Sequence, residues 1–247
     1  MLAGYRRIVV LTGAGISHSA GIPTYQSPGG LYLASRGNDK ELAVLSDASA
    51  LSTRRAEVCG MFWKFRSVLG KVSPTPAHVA LAAFEQRLPA GSSMLILTQN
   101  IDSLHQRAGS IGVCEYHGSL ARWRCEKCVV ELEPPLIDQD PTPPSHCAEL
   151  MRPSAVLFGE MIPVAAERAA KQALRECDVF VAIGTSGTVA PASSFVRWAE
   201  LNNARRVLLN LEIFDGARDL FGDCVAGPAD ELVPRWFTPL VTTSGFA

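Results

Sequence analysis

The chain has 247 residues, 47% of them hydrophobic, enough to bury the core of one large domain with or without a small insert. Its 23 basic and 24 acidic residues leave a net charge of −1, which argues against nucleic-acid binding driven by bulk positive charge. No apolar run approaches the roughly 20 residues of a membrane span, and the first residues lack a secretory signal pattern. We therefore expect a soluble, cytoplasmic protein that binds neither nucleic acid nor membrane directly.

The first predicted element is a buried strand at Ile8–Leu11, whose continuous aliphatic residues are typical of a strand covered on both faces. It leads into Gly13-Ala14-Gly15-Ile16-Ser17. Glycines after such a strand let the backbone approach a diphosphate, and a following helix N-terminus attracts its charge. Because the full G-x-G-x-x-G spacing is not reached, a plain tight turn explains these glycines nearly as well.

Residues 21–32 form a long connection rich in turn formers, which is typical of a functional lid. A helical pattern then runs from about Lys40 to Leu69, with aromatic residues at its centre that are more typical of core packing than of a binding site. The next predicted helix begins at Pro76 and continues to Phe84. His78 lies near its start, where we expect a structural role.

A buried strand at Leu95–Leu97 is followed at once by the polar run Thr98–Asp102, and Tyr116-His117-Gly118 comes after a further apolar residue, Val113. Buried amide, carboxylate and imidazole groups cost free energy unless they are paired. Ligands of α/β sheets bind outside the carboxyl ends of the strands. We interpret this stretch as part of a functional site, although strand ends can also be polar simply because they face water.

A segment of different composition runs from Arg124 to Pro153. It contains Cys125 and Cys128 at the spacing of a metal or redox pair, five prolines before Ser145, and the pair His146-Cys147. It is too short to be held by its own apolar core, so we predict a small inserted module clamped by a metal.

Alternating strands and helices resume after this segment. Predicted strands lie at Ala155–Phe158, Val179–Ile183 and Val207–Leu209, and predicted helices at about Val164–Glu176 and Ala190–Asn202. This alternation predicts an α/β fold with a doubly wound parallel sheet. Four predicted strands end in polar or glycine-rich tips, at Gly13, Gln99, Gly184 and Asn210.

This combination of motifs resembles the sirtuin family of NAD-dependent protein-lysine deacylases. The matching motifs are Gly13–Ser17, Gly21–Tyr25, Thr98–Asp102, His117-Gly118, Phe158-Gly159-Glu160, Gly184-Thr185-Ser186 and Asn210-Leu211-Glu212. The resemblance implies one catalytic domain over residues 1–247. Within it we expect a helical module at 31–75, a small zinc-ribbon-like metal module at 119–153, and a Rossmann-like NAD-binding domain in the remainder.

The resemblance implies that the strand tips bind NAD. The phosphates and the adjacent ribose would be held by Gly13, Ala14, Ser17, Gly184, Thr185 and Ser186. The nicotinamide end would lie among Gln99, Asn100, Ile101 and Asp102, and the adenosine end near Asn210 and Glu212. Further cofactor-binding positions would be Gly15, Pro23, Tyr25, Gln26, Leu211 and Ala229.

The resemblance also implies the chemistry, with His117 and Asn100 as catalytic residues. In the family's reaction the acyl-lysine carbonyl oxygen attacks the ribose carbon and expels nicotinamide. His117 then helps to deprotonate a ribose hydroxyl, which passes the acyl group to ADP-ribose and frees the lysine. An imidazole that titrates near neutrality suits this task. The acyl-lysine protein or peptide would be bound as an added strand by Phe158, Gly159, Glu160 and the segment around Val189.

Two departures from the family pattern concern the lid and the metal. Gln26 stands where members usually carry an arginine, and an amide replaces neither the charge nor the fork geometry of guanidinium. The metal module usually has two Cys-x-x-Cys pairs, and Pro144 replaces the partner of Cys147. His146 would then complete a structural zinc site with Cys125, Cys128 and Cys147, since imidazole binds zinc well. The alternative is a site without metal, because adjacent side chains do not easily converge on one ion.

The third departure concerns the acyl pocket. A branch of the family that removes succinyl groups has Tyr-x-x-Arg in the helical region, and this chain has Trp63-Lys64-Phe65-Arg66. Arg66 would pair with a succinyl carboxylate, with Trp63 beside it but without the phenol hydroxyl. Alternatively, Arg66 is a solvated helix residue.

Three functions remain open from the sequence. The first is an NAD-dependent protein-lysine deacylase, acting on acetyl or succinyl groups. The second is an ADP-ribosyltransferase or NAD-cleaving enzyme on the same scaffold, which Gln26 makes conceivable. The third is a non-catalytic NAD sensor, against which His117 argues, because binding alone would not require a base.

Overall fold

The computed structural model describes Leu2 and residues 4–22, 40–134, 142–186 and 192–238. The described strands are β1 (Arg7–Thr12), β2 (Ser93–Thr98), β3 (Val113–Glu115), β4 (Gly118–Arg124), β5 (Glu131–Leu132), β6 (Ser145–His146), β7 (Glu149–Leu150), β8 (Arg152–Ala155), β9 (Val179–Ile183), β10 (Arg205–Asn210) and β11 (Asp223–Ala226). The described α-helices are α1 (Lys40–Leu45), α2 (Ala50–Thr53), α3 (Arg55–Leu69), α4 (Pro76–Glu85), α5 (Leu104–Arg107), α6 (Val164–Glu176), α7 (Phe195–Leu201), α8 (Ala217–Leu220) and α9 (Ala229–Phe237). Short 3₁₀ helices cover Ala14–Ala20 and Ala192–Ser194.

The central sheet confirms the predicted parallel α/β fold. Its strands follow the order β3-β2-β1-β9-β10-β11, and every neighbouring pair is parallel. The chain first builds outward from β1 through β2 to β3, and then crosses to β9 on the other side of β1. This reversal between β1 and β9 is the position at which doubly wound sheets bind ligands.

Both faces of the sheet are buried, which explains the continuous apolar strands. Alternate residues of β1 point to opposite faces, so Ile8 and Val10 join one core cluster while Val9 and Leu11 join another. Helices α4 and α9 cover the first face, and α6 and α7 cover the second. None of the described helices is long and apolar enough to cross a membrane.

A third core cluster lies between helices α1–α3 and a small antiparallel sheet of order β5-β4-β8. At its centre the rings of Trp63 and Trp123 meet edge to face at 5.0 Å. The helical stretch that we predicted over 40–69 is interrupted after α1. There the Asp47 carboxylate accepts hydrogen bonds from the backbone N–H and the hydroxyl of Ser49, a local turn that competes with helix continuation.

Two predicted elements are placed differently. The strand expected at Ala155–Phe158 is wrong: β8 lies earlier, at Arg152–Ala155, because its residues pair with β4 of the small sheet. Phe158 forms only an isolated parallel bridge with Asp47. The helix expected over 190–202 begins as a 3₁₀ turn at Ala192, and its α-helical part is Phe195–Leu201.

Candidate active site

The four tips singled out in the sequence follow β2, β1, β9 and β10, which are neighbours in the sheet. Parallel strands present their carboxyl ends at the same edge, so Gln99, Gly13, Gly184 and Asn210 stand in one row. Three inter-strand spacings of about 4.8 Å give this row a length of about 14 Å. The edge is therefore long enough to receive an extended ligand across the β1–β9 switch point.

The glycines at this edge allow two backbones to touch. A Cβ on Gly13 would lie 2.7 Å from the Gly184 carbonyl oxygen, and one on Gly15 would lie 2.7 Å from the Gly184 Cα. The N–H of Gly13 donates to the Ile183 oxygen at 3.0 Å, and that of Gly15 donates to the Gly184 oxygen at 2.9 Å. These two N–H groups thus bond the β9 end of the sheet, and a phosphate would be held by other groups of the loop.

A buried polar network fixes the start of the cleft. The Ser17 hydroxyl donates to an Asp102 carboxylate oxygen at 2.7 Å. The Asn100 amide donates to the Ser17 oxygen at 3.1 Å and to the Gly13 carbonyl at 3.2 Å. Asp102 is 5% exposed, and burial raises the pKa of its carboxyl, although hydrogen bonds from the Leu104 N–H and from Ser17 partly offset this effect. The network locks the first loop to the end of β2.

His117 is held beside Gln99 at the end of β2, where the sequence predicts the nicotinamide. It lies in the turn between β3 and β4, where its ring Nδ1 is 3.1 Å from the Gln99 carbonyl oxygen. A carbonyl accepts only, so Nδ1 carries the proton and Nε2 is left as the acceptor. Burial lowers the pKa of His117 below its ordinary value of 6.5, although the hydrogen bond to Gln99 partly opposes this shift. The ring is therefore a neutral proton acceptor at neutral pH.

The same region joins the strand tips. The Gln99 side chain donates to the Thr185 hydroxyl at 3.1 Å, which connects the end of β2 to that of β9. Gly118, next to His117, has φ +74°, and a Cβ there would lie 2.0 Å from the Ser154 carbonyl oxygen. Only glycine fits this position, which sets the direction in which the preceding imidazole enters the cleft.

The end of the row at Asn210, where the sequence predicts the adenosine, is more open. The Asn210 amide donates to the Glu212 carbonyl oxygen at 2.8 Å, and Leu211 and Glu212 are exposed. Ala229 begins α9 and packs against the first core cluster. Within the described part of the chain, the tips of β1, β9 and β2 carry glycine, hydroxyl and amide groups and no exposed carboxylate. These three tips therefore fit the diphosphate of an anionic dinucleotide such as NAD.

Sequence reasoning overlooked a buried pair of imidazoles behind the first loop. The rings of His78 and His105 lie 4.6 Å apart; the His105 Nε2 bonds the Thr12 hydroxyl at 3.0 Å, and the Thr75 hydroxyl donates to the Ile16 oxygen at 3.2 Å. His78 caps α4, which confirms its structural role, because its Nδ1 accepts the Thr75 backbone N–H at 3.3 Å. Only proximity in the fold reveals this pair.

The predicted substrate-binding residues Phe158, Gly159 and Glu160 lie in a loop, residues 157–160, that is already bonded within the chain. We call it the substrate loop. The backbone N–H of Phe158 donates to the Ser46 oxygen at 3.0 Å, and its carbonyl accepts the Ala48 N–H at 2.9 Å. Phe158 as a whole residue remains 53% exposed. The Glu160 carboxylate binds the guanidinium of Arg152. The N–H of Glu160 also donates to the Leu157 oxygen at 3.1 Å, so an added peptide strand would use the backbone of Gly159 rather than that of Phe158.

Arg66 is 1% exposed, so the alternative of a solvated helix residue is wrong. Its guanidinium carbon lies 4.6 Å from the centre of the Trp63 ring, and it donates to the carbonyl oxygen of Pro134. Trp63 itself is buried against Trp123. The structure thus brings Trp63 and Arg66 together as a stacked pair within the third cluster.

The four predicted metal ligands converge. The ligand atoms of Cys125, Cys128, His146 and Cys147 all lie within 4.8 Å of one another. The His146 Nδ1 is 3.2 Å from the sulfur of Cys128 and 3.2 Å from that of Cys147. A tetrahedral zinc site with these ligands has sulfur–sulfur edges of about 3.8 Å and sulfur–nitrogen edges of about 3.5 Å. The cluster fits zinc.

Backbone geometry explains how adjacent residues meet. Cys147 and Ala148 have φ +50° and +60°, which is a turn with two left-handed residues between β6 and β7. Val129, directly after the metal knuckle Cys125–Cys128, has φ +55°. Such conformations cost about 1–3 kcal/mol for non-glycine residues and cluster at functional sites. A hydrogen bond from the Cys128 backbone lowers the pKa of the Cys125 thiol, whereas the bonds to Cys128 and Cys125 raise the pKa of Cys147, so without metal the thiolate is favoured at Cys125.

Four predicted site residues, Pro23, Tyr25, Gln26 and Val189, lie outside the described residues. Ala14 belongs to the short 3₁₀ helix after Gly13, and Ser186 follows Thr185 at the tip of β9. Ile101 packs against the third cluster, and its carbonyl accepts the Leu120 N–H at 2.9 Å.

Comparison with known proteins places this geometry in a family. The Sir2 family model matches residues 13–191. An NAD-dependent protein deacylase of Pyrobaculum aerophilum is 40% identical, over 95% of this chain and 91% of that protein. One of Pseudomonas aeruginosa is 38% identical, over 95% of this chain and 94% of that protein.

Solved structures agree. A Sir2 homologue in complex with ADP-ribose has a TM-score of 0.85 and 29% identity, over 96% of this chain and 92% of that one. A Sir2 homologue in complex with NAD has a TM-score of 0.84 and 29% identity, over 96% of this chain and 90% of that one. The similarity extends over nearly the whole chain, and the chain therefore belongs to the Sir2 family.

Proposed function

We propose that this chain is an NAD-dependent protein deacylase, which transfers an acyl group from lysine to ADP-ribose and releases nicotinamide. The observation that carries the proposal is the neutral His117, whose Nδ1 is anchored on the Gln99 carbonyl at 3.1 Å within the row of strand tips. Relatives that match nearly the whole chain are named as NAD-dependent protein deacylases. A sensor that only binds NAD would not require a proton acceptor there.

Each polar group of the cleft has a task in this proposal. NAD supplies the ribose carbon that is attacked and the nicotinamide that leaves. Asn100 and Asp102, fixed through Ser17, form a rigid wall at the nicotinamide end. The His117 Nε2 accepts the proton of a ribose hydroxyl, and because burial lowers the pKa of this ring, the acceptor form prevails at neutral pH. The predicted NAD contacts of the lid residues remain part of this proposal.

The substrate is an acyl-lysine in an extended peptide. One solved Sir2 structure contains a deacetylated p53 peptide with acetyl ADP-ribose, and 95% of this chain aligns with it. In this chain Gly159 has φ +84°, which turns the backbone between Leu157 and Glu160 toward solvent, next to the exposed Phe158. Backbone pairing at this position would explain recognition that depends little on peptide sequence.

The acyl preference turns on Arg66. Its guanidinium stacks on Trp63 and donates from Nη2 to the Pro134 carbonyl, so a succinyl carboxylate would have to compete with these two contacts. Acetyl-lysine, which carries no charge, makes no such demand. We therefore favour acetyl over succinyl as the better substrate. Replacing Arg66 with alanine would leave the acetyl-to-succinyl rate ratio unchanged, and a strong fall in succinyl turnover alone would contradict this preference.

The small module is the structural zinc site of the proposed enzyme, with Cys125, Cys128, His146 and Cys147 as ligands. Zinc bound by four protein ligands stabilises a fold and takes no part in chemistry. The boundaries 31–75 and 119–153 for the helical and metal modules remain predictions.

Mass spectrometry of the products tests the proposal. NAD is incubated with matched acetyl-lysine, succinyl-lysine and unmodified peptides. Acyl-ADP-ribose, nicotinamide and free lysine peptide are expected from the acylated peptides only. ADP-ribosylated peptide, or ADP-ribose formed equally with the unmodified peptide, would instead indicate a transferase or an NAD-cleaving enzyme.

A further inference from the structure

We propose that Arg152 is a positioning residue that connects the metal knuckle, Cys125–Cys128, to the substrate loop, residues 157–160, so that metal binding strengthens peptide binding. This inference rests on the proposed function, in which the substrate loop receives the acylated peptide. It concerns how the loop is held and not which residues perform the chemistry.

Arg152 is a fully engaged, buried cation. Its side chain is 1% exposed, so its charge requires compensation from within the fold. Nε donates to the Pro153 carbonyl at 3.3 Å, and Nη2 donates to the Ala155 carbonyl at 3.1 Å. The three remaining N–H groups bind carboxylates, so all five donors of the guanidinium are used. A guanidinium with all five donors bonded has a single orientation, so a shift of one bonded partner also shifts the others.

The first carboxylate belongs to the substrate loop. Arg152 binds both oxygens of Glu160, at 2.5 and 2.8 Å, in the bidentate geometry that gives arginine pairs their strength. The same Glu160 accepts the Leu157 backbone N–H at 2.8 Å, which closes the loop around Gly159. Burial alone would raise the pKa of Glu160, but the hydrogen bonds from Arg152 and Leu157 hold it below its ordinary value. The substrate loop is therefore closed by the ionised carboxylate of Glu160, whose orientation is fixed by Arg152.

The second carboxylate belongs to the metal knuckle. Glu126 stands between Cys125 and Cys128, and its carboxylate lies 3.3 Å from Arg152. Its other oxygen pairs with Arg55 of α3, which also donates to the Leu150 carbonyl at 3.3 Å. Fixing the two cysteines on an ion fixes the residue between them. A continuous path thus runs from the knuckle through Glu126, Arg152 and Glu160 to the substrate loop.

The path makes metal and peptide binding interdependent. Without metal the knuckle relaxes and Glu126 loses its fixed position, so Arg152 and Glu160 no longer hold the loop in one conformation. The peptide must then order the loop itself, and its affinity falls. By linkage, a bound peptide strengthens metal binding by the same factor. The proposed NAD site lies at the tips of β1, β2 and β9, and none of the side-chain bonds named above for Glu126, Arg152 and Glu160 reaches these tips.

The test replaces Glu126 with glutamine, which keeps the shape but removes the charge and leaves the Arg152–Glu160 pair intact. The matched control is Glu149→Gln, which removes another carboxylate of the same module, paired with Lys127 at 3.0 Å and not with Arg152. Affinity for a fluorescent acetyl-lysine peptide is measured by anisotropy, with and without metal, and NAD affinity by calorimetry.

We expect Glu126→Gln to weaken peptide binding about tenfold with NAD affinity unchanged, and Glu149→Gln to behave as wild type. Metal removal should weaken peptide binding about tenfold in the wild type and much less in Glu126→Gln. Equal peptide affinity in the two variants, or an equal effect of metal removal on wild type and Glu126→Gln, would overturn the inference. Failure of the wild type to bind or deacylate the peptide would instead refute the proposed function.

Hydrogen exchange of the wild type provides a second test that does not depend on the variant folding. Removal of metal should speed exchange of the Leu157 amide and its loop, while β9 at Val179–Ile183 stays protected. If exchange speeds up in the knuckle but is unchanged at the Leu157 amide, the path does not couple the metal site to the substrate loop.

Discussion

Replacing His117 with alanine tests the proposed chemistry most directly. The change removes the only imidazole that, among the described residues, is anchored at the end of β2 by a backbone carbonyl, with Nδ1 3.1 Å from the Gln99 oxygen. General bases contribute about 10²- to 10⁴-fold to a rate, which corresponds to about 3–5 kcal/mol of transition-state stabilisation. The fold loses one hydrogen bond of about 1 kcal/mol. We therefore expect a loss of turnover far beyond any loss of stability.

The assay compares kcat and NAD affinity in wild type, His117→Ala and the neighbouring Tyr116→Phe. The control retains the aromatic ring, which packs on Phe195 with ring centres 5.0 Å apart, and removes only a hydroxyl. His117→Ala should lose at least a hundredfold in kcat with NAD binding largely retained. The wild-type pH–rate profile should fall on the acid side below 6.5, because burial lowers the pKa of His117 and the neutral ring is the active form. Turnover in His117→Ala within about threefold of wild type would refute the reasoning.

Three further predictions follow from the packing. Gly15→Ala should destabilise the fold and abolish NAD binding, because its Cβ would lie 2.7 Å from opposing backbone, whereas Gly60→Ala in α3 meets open space and should be neutral or stabilising in thermal unfolding. Elemental analysis should find about one zinc per chain, which His146→Ala loses and Ser145→Ala retains. Burial lowers the pKa of His78 from 6.5 to about 4, so as the pH falls the unfolded chain binds this proton before the folded chain does. The free energy of unfolding, measured in urea, should therefore fall by about 3 kcal/mol between pH 6.5 and pH 4. A His78→Gln variant should show a flatter pH dependence.

The sequence by itself determined the sheet and the row of tips. A strand of continuous aliphatic residues is stable in water only when both of its faces are covered. The alternation of such strands with helices then indicates a parallel sheet. Since parallel strands end at one edge, residues as distant in sequence as Gly13 and Asn210 were predictable as members of one row. The edge strand β11 and helix α9 escaped prediction, because β11 is only partly buried and Pro234 interrupts the helical pattern.

Tertiary structure decided what the sequence left open. Whether Arg66 was solvated depended on α3 packing against the small module, and no local pattern reports such long-range burial. The convergence of His146 and Cys147 depended on the left-handed conformations of Cys147 and Ala148 in the β6–β7 turn. Neither cysteine nor alanine is a residue type from which this conformation can be predicted. The path through Arg152 depended on β8 placing it between Glu160, eight residues later in the chain, and Glu126, 26 residues earlier in the metal knuckle. Local periodicity specifies elements, whereas charge pairing across modules exists only once the chain has folded.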